Sequence, residues 1–336
     1  MSRTYQGGLI TKTPVTPAGP YQCGAASGVW TIDQMVGWQK AGVWPIAGNA
    51  YGTVAIFRIG DWSPSARNKY TFAGDVNAVA STAVYSGCFP SAAGTASVGI
   101  FAAGGGTLRC KYTYSNCSSS AATSSSVGSS RGTATGNSTI GIFSIGVSSG
   151  SRTTTRNKYT YSGDVNGSAT AADQTSSNGA AVGNSTVGIF ALGTTDNCGQ
   201  VASTRRNKYT YSSDKNAVTT ASSDFSRGGS ATGISTFGIF ALGCNRCGPT
   251  TARNKFTYSG DTCASATAAT QANYGGAAAG NATRGIFTLG FDACINNSTL
   301  RNKYTYSGCV VSSATAASAN SGNGAGASNG TTGVNM

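Results

Sequence analysis

The cysteines of this sequence have the spacing that most directly suggests chemistry. Cys244 and Cys247 form a Cys-X-X-Cys pair, with Cys198 lying 46 residues before the pair and Cys294 lying 47 residues after it. Four thiolates are sufficient to hold a tetrahedral metal ion, and the same thiols are able to form one or two disulfides after exposure to oxygen. Free thiols, disulfides and a metal site are the alternatives, in that order of preference. We predict no bound metal and no cofactor.

The sequence is poor in groups for acid–base catalysis. His is absent, and all 10 acidic residues are Asp. These absences exclude His-containing triads, His metal sites and a Glu general base. Glycoside hydrolysis usually needs a pair of carboxylates, whereas Asp here occurs mostly in turn sequences such as Gly163-Asp164. We therefore predict that the protein is not an enzyme, and we assign no catalytic residue.

The Arg and Lys residues give a formal net charge of +13, which raises the question of nucleic-acid binding. Of the 23 basic residues, 12 belong to a hexapeptide close to Arg-Asn-Lys-Tyr-Thr-Tyr that occurs six times. Residues spread by such a repeat need not form one basic stripe, so we expect structural or solvated roles and no nucleic-acid partner. We expect Arg67 and its equivalents to tie strand ends to a turn Asp of the same or the next repeat. The remaining positive charge favours approach to an anionic cell-surface polysaccharide.

The hexapeptide defines the organisation of the chain. Its copies begin at Arg67, Arg109, Arg156, Arg206, Arg253 and Arg301. The successive spacings of 42, 47, 50, 47 and 48 residues are typical of propeller blades. A second, apolar sequence close to Gly-Ile-Phe-Ala-Leu-Gly precedes each hexapeptide, separated from it by a loop that varies between copies. Because specificity is commonly placed on loops of a rigid scaffold, these loops are where we expect a ligand to be recognised.

Each copy contains signals for strands and turns. The apolar sequence predicts an inner strand covered on both faces. In the hexapeptide, alternation places Asn157, Tyr159 and Tyr161 on one face and Lys158 and Thr160 on the other. A turn close to Ser-Gly-Asp follows the hexapeptide, and an Ala/Thr-rich strand follows the turn. Two copies have Cys in place of the turn Asp, which argues against a catalytic or metal-binding role for that Asp: Cys117 and Cys309.

The repeat resembles that of kelch-type β-propellers over residues 46–336. The resemblance implies an all-β, six-bladed kelch-like β-propeller. We predict from residues 1–45 that an extended N-terminal arm with one short helix precedes it. The tail at 329–334 resembles the start of a further copy, which leaves six or seven blades open. We expect this tail to complete the ring with the first copy.

Residues 1–45 lack the repeat. Their closely spaced prolines predict an extended arm: Pro14, Pro17 and Pro20. Thr31 and Gln34 then form a capping box that predicts a short helix. Three tryptophans in this segment are candidates for docking, either onto the propeller itself or onto another subunit or a larger particle: Trp30, Trp38 and Trp44.

The sequences at 26–34 and 39–45 resemble the N-terminal signature of tailed-bacteriophage virion proteins. The resemblance implies a non-enzymatic structural component of the tail or tail fibres, assembled in the host cytoplasm, present in multiple copies and in contact with other virion proteins. It also implies a role in host attachment. A carbohydrate-binding receptor-binding protein and a capsid decoration protein are the alternatives. We expect no cleaved signal and no membrane insertion, because no apolar stretch has the length that either requires.

Overall fold

The computed structural model of this protein describes residues 31–40, 53–59, 65–195, 202–245, 247–292 and 296–330. The predicted helix is present as α1 (Ile32–Lys40). Its capping box is formed, because the Thr31 amide donates to Gln34 Oε1 at 3.0 Å and the Gln34 amide donates to Thr31 Oγ1 at 3.2 Å. The predicted arm, Trp30, Trp44 and the side chain of Trp38 lie outside the described residues.

The remaining described residues form an all-β propeller of six blades. Blade 1 begins with β1 (Val54–Arg58), β2 (Arg67–Thr71) and β3 (Val76–Ala80). Blade 2 contains β4 (Ser91–Gly94), β5 (Val98–Ala102), β6 (Arg109–Thr113) and β7 (Ser118–Ala122). Blade 3 contains β8 (Thr133–Gly136), β9 (Ile140–Ser144), a small hairpin of β10 (Val147–Ser148) and β11 (Ser151–Arg152), β12 (Arg156–Thr160) and β13 (Val165–Ala169).

The last three blades repeat this order. Blade 4 contains β14 (Ala180–Gly183), β15 (Val187–Ala191), β16 (Arg206–Thr210) and β17 (Lys215–Thr219). Blade 5 contains β18 (Ser230–Gly233), β19 (Phe237–Ala241), β20 (Arg253–Thr257) and β21 (Thr262–Ala266). Blade 6 contains β22 (Ala278–Gly280), β23 (Arg284–Thr288), β24 (Arg301–Thr305) and β25 (Val310–Ala314), and β26 (Ala325–Ser328) follows it.

Strand β26 closes the ring. It pairs antiparallel with β1, with Ala327 opposite Ile56, and so becomes the innermost strand of blade 1. Beyond the strand, the amide of Val54 donates to Asn329 Oδ1 at 2.9 Å. The predicted closure of the ring by a late segment pairing with the first copy is present. The segment differs from the prediction, because the closing strand is β26 and not the tail at 329–334. The blade number is six.

Small residues allow the blades to approach one another near the axis. The innermost strands consist of Ala, Gly, Ser, Thr and Val, and the second strands are almost fully buried apolar segments, as their sequence predicts. Gly188 in β15 shows why Gly is needed in the second strand. A Cβ at this position would lie 2.6 Å from Thr135 Cγ2 of blade 3 and 2.8 Å from the Tyr211 hydroxyl.

The antiparallel order of the strands gives the ring two different faces. Loops between the second and third strands of a blade, and loops between blades, lie on one side, which we call the loop face. In blade 4 these are residues 192–195 and 202–205 and, entering the blade, 170–179. The tight turns at 184–186 and 211–214 lie on the opposite side, the turn face. The described parts of the variable loops therefore belong to the loop face.

Candidate ligand-binding face

The Arg that begins each hexapeptide is buried between two neighbouring blades. We call the interface between two such blades a seam and label it by the two blade numbers. In seam 3/4, Arg156 Nη1 donates to Asn216 Oδ1 at 2.8 Å and its Nη2 donates to Asn207 Oδ1 at 3.2 Å. The guanidinium carbon also lies 4.3 Å from the centroid of the Phe190 ring. The expected pairing of these Arg residues with a turn Asp is wrong. Their partners are uncharged polar groups of the next blade, mostly Asn side chains, and the faces of its aromatic rings.

Seven guanidiniums are buried in this way. The six hexapeptide residues are joined by Arg58, which donates to the carbonyl of Ala103 at 3.1 Å and to the carbonyl of Gly87 at 3.0 Å. Burial lowers the pKa of Arg156 to about 10 and that of Arg58 to about 10, so both remain charged at neutral pH. Among the described residues, none of the six hexapeptide Arg residues forms an ion pair with a carboxylate.

The turn Asp pairs with a Lys of the preceding blade instead. Lys158 Nζ lies 3.3 Å from Asp214 Oδ2, the Thr170 amide donates to Asp214 Oδ1 at 2.8 Å, and the Tyr209 hydroxyl donates to the same oxygen. Burial alone raises the pKa of the Asp214 carboxyl, but the hydrogen bonds from Tyr209, Thr170 and Lys158 outweigh it and leave the pKa at about 2. Four seams contain the Lys–Asp pair, which involves Asp75, Asp164, Asp214 and Asp261. The Tyr hydroxyl is present in three of them, because Phe256 takes its place in the blade of Asp261. These carboxylates hold blades together at the turn face.

Three further described carboxylates lie on the loop face, and each has a partner. Asp173 forms an ion pair with Arg205 and accepts a hydrogen bond from the side-chain Nδ2 of Asn207. Asp224 Oδ2 accepts from Asn245 Nδ2 at 3.1 Å. Asp292 Oδ1 accepts from the Asn296 amide at 2.9 Å. These contacts fix loops onto the scaffold.

The axis opens on the loop face through six equivalent residues that we call the mouth ring. Each lies two or three residues before the innermost strand of its blade, and each has φ between 51° and 65°: Phe89, Arg131, Asn178, Gly228, Gly275 and Asn323. In three successive steps, an amide of the ring donates to the ring carbonyl of the preceding blade. The distances are 2.8 Å from Asn178 to Arg131, 2.7 Å from Gly228 to Asn178 and 2.7 Å from Gly275 to Gly228. The left-handed backbone therefore serves to link blades around the opening.

Behind the mouth ring, the innermost strands enclose an axial channel. Both are narrow, because the space that water-sized molecules reach measures about 50 Å³ in the mouth and about 60 Å³ in the channel behind it. The channel wall is made of Gly, Ala, Ser, Thr and Pro, so the chemically distinctive side chains are those of the mouth ring.

Cations and aromatic rings surround the mouth. The Arg131 guanidinium lies 4.6 Å from the centroid of the Phe89 ring. Arg152 Nε donates a hydrogen bond at 2.8 Å to Oγ of Ser177, the residue that precedes ring residue Asn178 in the sequence. Arg227 is the residue that precedes ring residue Gly228. The mouth ring was not recognised in the sequence. The signal available was a residue that favours positive φ at the same place in four copies, namely the Asn or Gly at 178, 228, 275 and 323.

The predicted cysteine cluster is only partly described. Cys244 is buried and Cys247 is exposed, and both thiols are free. Burial raises the pKa of the Cys244 thiol, and a contact with Arg227 opposes part of this effect. Cys198 and Cys294 lie outside the described residues. Within the described part of the chain, no group of three or more potential metal ligands is found, and no helix there has the length and apolarity needed to cross a membrane.

Comparisons with known proteins identify the architecture only. No family model matches the chain, and no curated protein matches it. Among solved structures, the chain is similar to the one titled "Structure of YjhT", with a TM-score of 0.58 and 12% sequence identity. The similarity covers 71% of this chain and 87% of that chain. Identity this low shows a shared fold, so the comparison supports the six-bladed β-propeller and leaves the activity and the kelch resemblance as proposals.

Proposed function

We propose that this protein is a non-enzymatic structural component of a tailed-phage virion, whose propeller presents its loop face outward for host attachment. One observation carries the proposal. The residues that recur in every repeat are used inside the seams, whereas the side chains that differ between repeats are collected on the loop face around the mouth ring. A rigid ring with one variable face is suited to recognition.

The roles of the carboxylates support a non-enzymatic function. Those of Asp75, Asp164, Asp214 and Asp261 hold blades together at the turn face, and those of the loop-face residues Asp173, Asp224 and Asp292 hold loops in place. Three of the recurring Tyr hydroxyls, those of Tyr70, Tyr159 and Tyr209, donate to turn carboxylates. In the described part of the propeller, the carboxylates that general acid–base catalysis would need are thus used by the scaffold.

The N-terminal segment supplies the proposed connection to the particle. It resembles the N-terminal signature of tailed-phage virion proteins, and it is separate from the six repeats. In the proposal, residues 1–45 contact other virion proteins through Trp30, Trp38 and Trp44. The propeller carries the surface that reaches the host, whose anionic polysaccharide is the proposed partner.

Particles from a lysate of the source host provide the test. Antibodies against the propeller should label the outside of intact particles in electron micrographs, in several copies. A chain lacking residues 1–45 should keep the unfolding midpoint of the propeller and should lose incorporation into particles. Particles that carry no label, or incorporation that survives the deletion, would overturn the proposal. A virion scaffold without host binding would be indicated if labelled particles attach to cells equally well when the antibody covers the loop face.

A second candidate function, a carbohydrate-binding receptor protein, is favoured by the side chains of the mouth ring. An aromatic residue, a cation and two amides converge there on one opening. Such groups recognise the faces and hydroxyls of sugars. The two functions are compatible, because a virion protein is able to attach through a bound saccharide.

A further inference from the structure

The residues of the mouth ring adopt a backbone conformation with positive φ, which is energetically costly for two of them. Gly228 and Gly275 adopt positive φ without steric penalty, and Asn tolerates it. Phe89 at φ 53° and Arg131 at φ 56° lack that tolerance. Phe89 also precedes Pro90, a position that normally adopts extended backbone. Because Gly meets the geometric need in two blades, the Phe and Arg side chains are not required for closing the ring.

Strained positions of this kind cluster at ligand sites, where the side chain itself is needed. Phe89 and Arg131 stand next to each other in the ring and stack at 4.6 Å. Within the described residues, the exposed Arg131 side chain has this ring contact and forms no hydrogen bond or ion pair. Stacking uses the face of a guanidinium and leaves its in-plane N–H donors directed outward. That fork matches the two oxygens of a carboxylate.

The rest of the mouth supplies uncharged polar groups. Asn178 and Asn323 line the opening, and each carries an amide that donates and accepts hydrogen bonds. Gly275 makes room for Asn323, because a Cβ at Gly275 would lie 2.9 Å from Asn323 Oδ1. Amides of this kind suit the hydroxyl groups of a sugar. The mouth therefore combines a guanidinium that is able to bind a carboxylate, an aromatic ring and two side-chain amides. Together these groups fit one chemical class, a sugar that carries a carboxylate.

The electrostatics of the scaffold favour an anion at this face. The six buried hexapeptide Arg residues stand at the ends of their strands that adjoin the loop face, and they lack carboxylate partners among the described residues. The Asp residues of the seams lie at the opposite, turn face. Arg152 and Arg227 add two further cations beside the mouth. Asp224, Asp173 and Asp292 offset part of this charge on the loop face, and each is held by a partner in its own loop region.

We propose that the mouth of the axial channel binds a carboxylate-bearing saccharide, with the carboxylate on Arg131 and the sugar hydroxyls on Asn178 and Asn323. This inference rests on the proposed function in that it names the surface and the ligand class used for attachment. The single site per ring lies where residues of four different types meet, so the sixfold scaffold binds one ligand.

Calorimetry on the full chain with sodium glucuronate, and with glucose as the uncharged match, provides the first test. Glucuronate should bind at least tenfold more tightly than glucose, and its affinity should fall as salt is raised. Inorganic phosphate and sodium acetate are tested in parallel, because an anion site without sugar specificity would bind them as tightly as glucuronate. Equal binding of glucose, or of the simple anions, would overturn the proposal.

Substitutions within the mouth separate binding from stability. Arg131→Gly and Phe89→Gly relieve positive φ, so each should keep or raise the unfolding midpoint while lowering glucuronate affinity about tenfold or more. Asn178→Asp keeps the side-chain shape and places a negative charge in the mouth, and it should lower the affinity at least as far. The matched control is Lys215→Ala, which removes one exposed positive charge at the start of β17, a strand end that adjoins the turn face. It should leave the affinity within twofold of that of the unaltered chain.

The outcomes distinguish this inference from the proposed function. Mouth variants that bind glucuronate normally would overturn the inference, and particle labelling and cell attachment would be untouched by that result. Loss of binding by Lys215→Ala equal to that by Arg131→Gly would indicate a general charge effect and would also overturn it. Mouth-dependent binding by a protein that is absent from particles would uphold the site and refute the virion role.

Discussion

The six seams of the ring divide into two kinds. Four contain a Lys–Asp pair, and we call them aspartate seams: 2/3, 3/4, 4/5 and 6/1. The other two, seams 1/2 and 5/6, have Cys117 and Cys309 at the position of the Asp, and we call them cysteine seams. Both thiols lie in the same left-handed turn conformation as the Asp residues, with φ of 55° and 51°. The backbone of the turn is thus kept in every copy, while the ionic contact is lost in two.

The buried Arg is also less well satisfied in the cysteine seams. In seam 1/2, Cys110 replaces the Asn that accepts from Arg Nη2 elsewhere, and Arg67 Nη2 is buried without a hydrogen bond. In seam 5/6, Val311 replaces a second Asn, and Arg253 Nη1 is buried without a partner. Among the described residues, the seams that lack the Lys–Asp ion pair are thus the same seams in which the buried Arg lacks one hydrogen bond. The ring therefore consists of a strongly linked arc of blades 2 to 5 and a second arc of blades 6 and 1, joined by two weaker seams.

Among substitutions that compare the two kinds of seam, replacing a buried Arg should change the free energy of unfolding the most. Arg156→Ala in an aspartate seam removes two hydrogen bonds from a charged donor and a cation–π contact, and should lower the free energy of unfolding by about 4 kcal/mol. Arg253→Ala in a cysteine seam removes one such hydrogen bond and a similar ring contact, and should cost about 1–2 kcal/mol less. Urea denaturation of both variants measures the difference. Equal losses would show that the seams are equivalent.

The repeats and the ring were predictable from the sequence because propeller blades must recur with the period of the hexapeptide. The partner of each Arg was not predictable. Periodicity places equivalents of Arg206, Lys208 and Asp214 in the same order in four of the six copies, but it does not show that one face of the third strand meets the next blade. That face carries both cations. Lys reaches the turn Asp, and Arg ends beside the Asn and aromatic residues of the neighbouring blade.

The mouth ring escaped prediction for a different reason. Its six residues share a backbone conformation and differ in type, so a search for recurring letters passes over them. Phe89 and Arg131 in particular belong to no local pattern that favours positive φ. The repeat thus made the scaffold visible in the sequence, and the candidate site lies where the repeat is broken.

Substituting an Asp of an aspartate seam should have the next largest effect. Asp214→Asn removes the ion pair with Lys158 and weakens the hydrogen bonds from Tyr209 and Thr170, and should cost about 2 kcal/mol. Cys309→Ser, at the equivalent position of a cysteine seam, should change stability by less than about 0.5 kcal/mol. Thermal unfolding of the two variants compares the seams directly. A larger loss for Cys309→Ser would contradict the ranking.

Acid should weaken the aspartate seams selectively. The pKa of Asp75 and that of Asp214 are lowered to about 2, below the usual value of an Asp in an unfolded chain. The stabilisation that they provide is therefore complete above about pH 4 and is lost as the pH falls through about 2. At pH 3 each should have lost at most about 1 kcal/mol, because solvent screens these partly exposed groups.

Hydrogen exchange of backbone amides measures this loss seam by seam. Between pH 5 and pH 3, after correction for the intrinsic exchange rate, amides at seams 6/1 and 3/4 should lose protection relative to those at seams 1/2 and 5/6. Uniform loss of protection around the ring would show that the carboxylates do not set the acid response.

Restoring the missing carboxylates should have the smallest effect. Cys117→Asp and Cys309→Asp place an acceptor at the turn position from which Asp pairs with Lys elsewhere, within the reach of Lys69 and Lys255 if the side chains follow the aspartate seams. Each should raise the free energy of unfolding by less than about 1 kcal/mol, because such half-exposed pairs contribute little. Part of the gain in the second case is offset, since Lys255 already lies 4.3 Å from the centroid of the Phe237 ring. A loss of stability in both variants would show that the thiols are preferred there for packing.

The pairing of β26 with β1 also determines the order in which a newly made chain is completed. Strand β1 leaves the ribosome early, and its inner neighbour follows only after five further blades have been synthesised. Until then the apolar segment from Val54 to Arg58 has an unsatisfied edge, which is a site for aggregation or for capture by a chaperone. Translation that halts before residue 325 leaves an open arc, and soluble yield should depend on the rate at which ribosomes finish the message.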